Sequence, residues 1–148
     1  FNTVHALAQD SKGRLYAVDM CGGNLHAYMA IPGQIASHRA VRAPGCKHRL
    51  QVFDADGNHL ADWTQVTPLS LSIYGNKAYV TEYPATLAII DLESGEVEER
   101  LEGLSVYIHQ MAMDAHGDIY IASVYPEHKG HKRGREGPSH RRWTKAVE

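Results

Sequence analysis

The stretch VHALAQDSKGRLYAVD, residues 4–19, is an apolar alternating run, an Asp, a Gly-containing turn and a β-rich run that closes near an acidic residue. The pattern returns as LSLSIYGNKAYVTE at 69–82 and as HQMAMDAHGDIYIAS at 109–123. After the first two copies come RLQVFDADGNHLADW (49–63) and TLAIIDLESGEVEERL (86–101), each a further pair of strands around a turn. A repeated unit of this size cannot bury its apolar faces alone and must stack on its neighbours. The reading is therefore all-β: four-stranded antiparallel blades in series, which is the plan of a β-propeller.

The turn glycines Gly13, Gly75 and Gly117 lie 62 and 42 residues apart. A blade of this kind takes roughly 40–50 residues, so the second step is a plain blade and the first carries an insertion. Blade one is expected over 1–67 with a loop at 20–47, blade two over 68–104, and an incomplete blade three over 105–148 with a loop at 125–140. Because a propeller needs about 4–8 blades, the ring is expected to be completed by other sequence or by other chains, through self-association. Loops of such length in a compact domain are usually functional or mobile.

The net charge of −2 gives no footprint for nucleic acid or an anionic membrane surface. No run of 18 apolar residues suggests a membrane span. Cys21 and Cys46 flank the first loop. Neighbouring strand ends lie about 5 Å apart, a separation a disulfide can bridge, and closing the loop would stabilise by roughly 3 kcal/mol. A bridge would place the protein outside the cytosol, extracellular or periplasmic. The other reading is two free thiols in a cytosolic protein, and the compartment stays open between them.

Tyr16, Tyr79 and Tyr120 fall at one register in the three copies and are expected to pack between blades, with Trp63 and Trp143 filling gaps there. DADG (54–57) and ESGE (93–96) are turns in which Gly supplies the positive φ.

In a propeller the first strand of each blade lines the central channel. His5 and His109 begin the first strands of copies one and three, whereas copy two has Pro68 or Leu69 there. Two imidazoles facing one channel are half of a metal site, because neutral His is a favoured zinc ligand. The plainer reading is a hydrogen-bonded His at a strand start. Tyr83 follows the second strand of copy two and would act as acid or base beside a cation that lowers its pKa, or else caps the strand. Residues 126–148 hold seven Lys/Arg, three Glu and three His, a basic Gly-rich segment suited to solvent or to an acidic partner. Within it His128 and His131 have a short His-x-x-His spacing.

The run VHALAQD, GRLYAVD, HRLQVFDADG resembles an NHL-type repeat over nearly the whole chain. The 104-residue spacing from His5 to His109, with a Tyr in the intervening copy, is similar to that in the peptidyl-alpha-hydroxyglycine alpha-amidating lyases. Those are six-bladed propellers whose central zinc is held by three histidines from alternate blades, with a catalytic Tyr and Arg. The resemblance implies that His5 and His109 match two zinc ligands and that Tyr83 matches the catalytic Tyr. The third His and the Arg would lie on blades beyond these three. Cys21 has no counterpart in that pattern. Two functions follow: a zinc-dependent lyase or hydrolase acting on a small-molecule or peptide substrate in the channel, or a non-catalytic NHL-repeat scaffold holding a protein or small ligand on its loop faces. Fold alone cannot choose between them.

Overall fold

The computed structural model describes residues 1, 3–20, 47–82, 86–102, 108–123 and 140–143. Cys21, Cys46 and Tyr83, the bulk of both long loops, His128 and His131 lie outside the described residues.

Among the described residues eleven strands form three separate antiparallel sheets. Sheet one is β1 (Thr3–Gln9), β2 (Leu15–Met20), β3 (Arg49–Phe53) and β4 (His59–Trp63). Sheet two is β5 (Pro68–Tyr74), β6 (Lys77–Glu82), β7 (Thr86–Asp91) and β8 (Val97–Leu101). Sheet three is β9 (Ile108–Met113), β10 (Ile119–Ser123) and β11 (His140–Trp143). Each strand pairs with its chain neighbour, and β9 pairs with β10 and β10 with β11. Two boundaries differ from the sequence expectation: β11 begins at His140, the last residue expected of the second loop, and β2 runs on through Met20, which the first loop was expected to contain. The Met20 side chain is buried among Val18, Leu50 and the facing residues of sheet two, and that apolar burial extends the strand.

Period-two alternation sends each strand's side chains to two faces, and the sheets stack through them. The back of sheet one, with Tyr16, Val18, Leu50 and Val52, packs on the front of sheet two, with Leu71, Val80, Ala88 and Ile90. The back of sheet two, with Tyr79, Leu87 and Ile89, packs on Met111, Ile119 and Ile121 at the front of sheet three. Each large aliphatic or aromatic side chain so buried contributes about 1.5–3 kcal/mol. Trp63 leans on Tyr16, ring centroids 5.5 Å apart, and fills the space between sheets one and two. The first strands adjoin in order, β1 against β5 and β5 against β9.

One end of the stack is closed by a five-residue turn used three times, Asp10–Arg14, Asp54–Asn58 and Asp114–Asp118. In each, the carboxylate accepts the backbone N–H groups two and four residues on, at 2.8–3.0 Å, and the fourth residue is a Gly at φ 83–86°. The Tyr16 hydroxyl donates to Asp10 Oδ2 at 3.1 Å, and the Tyr120 hydroxyl to Asp114 Oδ2 at 3.0 Å. Copy two lacks the Asp and turns directly on Gly75 and Asn76.

Candidate functional site

The other end of the stack carries three bulges at one register. Along β1, Val4 pairs with Asp19 and Ala6 with Val18, so His5 is the extra residue. Along β5, Pro68 pairs with Glu82 and Ser70 with Thr81, which makes Leu69 the extra residue. Along β9, Ile108 pairs with Ser123 and Gln110 with Ala122, leaving His109 as the extra residue. A bulge bends its strand and re-aims one side chain, and bulges concentrate beside functional sites. The copy-two equivalent of the two histidines is thus Leu69 rather than Pro68.

His5 is half-buried and belongs to neither apolar cluster. Its Nδ1–H donates to the Leu69 carbonyl at 2.6 Å, linking one bulge to the next. A carbonyl can only accept, so Nδ1 carries a proton. Metal-bound histidines are commonly held this way, one ring nitrogen donating to a backbone carbonyl. One residue past the next bulge, Ser70 Oγ donates to Gln110 Oε1 at 3.2 Å and accepts the Met111 N–H at 3.4 Å, joining β5 to β9. The Ser70 N–H donates to Thr81 Oγ1 at 3.0 Å, tying the same residue to its own sheet.

Two buried acids brace the bulges from behind. Asp19, at the end of β2, accepts the Thr3 N–H at 3.2 Å, Arg49 Nε at 3.1 Å and Gln51 Nε2 at 2.8 Å. Arg49 also reaches Asp62 at 2.7 Å, and His59 Nε2 meets the same carboxylate at 2.9 Å. Burial opposes ionisation of Asp62, but the hydrogen bonds from His59 and Arg49 outweigh it and hold its pKa below the usual value. Glu82, at the end of β6, repeats the scheme: it accepts the Thr67 N–H at 2.9 Å and Arg100 Nε at 3.0 Å. Each acid therefore fastens the start of a first strand to the end of its second strand, next to the bulge. The acidic residue that closes the first two units is visible in the sequence, but its role is not. Its partner arginines come from different strands, β3 for Asp19 and β8 for Glu82, so no common spacing reveals them.

Of the site residues expected from the sequence, His5 and His109 occupy equivalent bulges on β1 and β9, with β5 between them. The His109 side chain lies outside the described residues, as does Tyr83, which directly follows Glu82 at the end of β6. Among the described residues no group of three or more His, Cys, Asp or Glu side chains is placed to hold a metal ion. Comparison with protein-family models and with curated proteins finds no match to this chain.

Proposed function

We propose that the three sheets are blades of an NHL-type β-propeller and that the bulged ends of their first strands carry a metal-dependent lyase or hydrolase centre resembling that of the amidating lyases. The observation that supports this most directly is the repeated bulge, which gives His5 and His109 the same backbone position two sheets apart. The Nδ1–H of His5 held by the Leu69 carbonyl is the arrangement a ligating imidazole needs, so the donor chemistry fits zinc. In this reading His5 and His109 would hold the ion, which would polarise a substrate oxygen or lower the pKa of a bound water. Leu69 O and the Ser70–Gln110 link orient the first strands, and Tyr83 moves a proton to or from the substrate.

Two histidines hold zinc less firmly than three, so the test is uptake compared between variants. Zinc titration followed calorimetrically is expected to show a site in the parent chain that His5→Ala and His109→Ala each abolish and Tyr83→Phe leaves intact. Zinc binding that is unchanged in both histidine variants would overturn the metal reading and leave the NHL-repeat scaffold.

A further inference from the structure

Copy two departs from its neighbours at the residue that follows the bulge. Ala6, Ser70 and Gln110 hold that position on β1, β5 and β9, paired with Val18, Thr81 and Ala122. Sheet two alone places two hydroxyls there. Ser70 and Thr81 are 1% and 0% exposed, and a buried hydroxyl costs free energy unless it is hydrogen-bonded. Sheet one makes the same strand pairing with Ala6 and Val18, so the pairing itself does not require them.

The Ser70 hydroxyl faces the neighbouring sheet. It donates to Gln110 Oε1 at 3.2 Å and accepts the Met111 N–H at 3.4 Å, both on β9. Within sheet two the Ser70 N–H donates to Thr81 Oγ1 at 3.0 Å, and the Thr81 hydroxyl donates back to the Ser70 carbonyl at 3.4 Å. The residue before it, Leu69, holds His5 Nδ1 through its carbonyl at 2.6 Å.

The two seams between first strands are tied by different atoms because their bulge residues differ. From β1 the His5 ring reaches β5, and the Ala6 methyl can form no such bond. From β5 the Leu69 side chain has no donor or acceptor, and the hydroxyl of the next residue makes the tie to β9 instead. Both ties meet at adjacent residues of β5. A shift of β5 against β9 therefore moves the carbonyl that orients His5.

We infer that Ser70 is the positioning residue of the bulge end: by locking β5 to β9 it fixes where the Leu69 carbonyl holds the His5 imidazole relative to the β9 bulge of His109. Its effect on metal uptake rests on the zinc reading above, whereas its effect on the His5 ring does not.

The test uses the intact chain with isotope-labelled histidine and nuclear magnetic resonance, the His5 ring signals being assigned by their loss in His5→Ala. Ser70→Ala is expected to move or broaden the His5 Nδ1–H signal and to weaken zinc uptake about 10–100-fold, the usual loss when a group behind a ligand is removed. Ile90→Val, a core truncation in the same sheet, destabilises without touching either tie and should change neither readout. If Ser70→Ala loses its strand signature in circular dichroism, exposed Gln110 supplies the second variant. Gln110→Ala removes the acceptor of the Ser70 hydroxyl and should move the His5 signal by less, whereas Gln110→Glu keeps an acceptor and the parent signal. A folded Ser70→Ala chain whose His5 signal matches the parent overturns the positioning role, and if it takes up zinc as the parent does, the proposed function stands alone. An equal shift in Ile90→Val overturns it too, because lost stability would then account for the effect. If the His5 signal responds to Ser70→Ala and not to Ile90→Val while the parent takes up no zinc, the positioning of His5 stands and the metal reading falls.

Discussion

The two ends of the sheet stack solve the same problem, how to finish a strand without stranding its backbone polar groups, by opposite means. At the turn end the repeated device is local: in three turns an Asp satisfies amides two and four residues ahead of it and a Gly takes the left-handed conformation, although side chains such as Gln65, Arg14 and Lys12 also reach across from one sheet's turn to the next. At the bulge end the partners come from far along the chain, 16 residues for Thr3 with Asp19, 30 for Arg49 with Asp19 and 64 for His5 with Leu69. A local device forms wherever its short motif occurs. A distant one exists only once the sheets have assembled, so it can hold a geometry that no single repeat could hold.

The sharpest way to break this contrast is at the buried acid. We predict that Asp19→Ala destabilises by about 3 kcal/mol in denaturant unfolding, because it strands buried partners, whereas Asp54→Ala, in an exposed turn, costs clearly less. Equal losses would mean that the distant contacts add nothing beyond ordinary turn chemistry.

A smaller effect is expected where a turn meets a neighbouring sheet. A Cβ at Gly95 would lie 2.6 and 2.8 Å from the Trp63 indole, while one at Gly57 meets nothing within 4 Å, and both glycines have positive φ. Ala at Gly57 should cost about 1 kcal/mol from the backbone alone, and Ala at Gly95 about 1–3 kcal/mol more from overpacking. If thermal unfolding shifts equally in the two variants, Trp63 is not a fixed part of the seam between sheets one and two.

The smallest effect per group is acid sensitivity. Burial disfavours ionised Asp10, but hydrogen bonds from Arg14, Tyr16 and Lys12 outweigh it and lower its pKa. Asp114 is lowered likewise, by the Asp118 and His116 amides against the opposing effect of burial, and Asp54 by its bonds from Asn58. Carboxylates with lowered folded-state pKa values stabilise above the unfolded value, near 3.8, and lose that contribution as pH falls through the folded value. Stability should therefore be level above about pH 5 and decline below about pH 4. A chain that loses stability instead between pH 5 and 7 would point to histidines rather than to these turns.

What could be read from the sequence divides along the same line. The turns at DADG and ESGE and the shared tyrosine register follow from short motifs, and the structure has strands and positive-φ glycines there. Two of the three tyrosines are buried between sheets as expected, and the third is exposed. The choice between Pro68 and Leu69 could not be made from spacing, because a bulge is defined by which residue the partner strand leaves unpaired. The Asp19–Arg49–Asp62 and Glu82–Arg100 networks were hidden for a related reason: their members share no spacing, only an end of the assembled sheets.

The up-and-down order of the strands has a consequence for how the chain finds this structure. Joining β6 to β7 closes a connection of three residues, whereas joining β2 to β3 closes one of 28. On chain-entropy grounds the longer closure costs about 2 kcal/mol more. Sheet two is thus the least expensive to close and the one buried on both faces. It is the natural seed of assembly: the middle of the stack can form early from near neighbours, while sheet one waits for the ends of a long segment to meet.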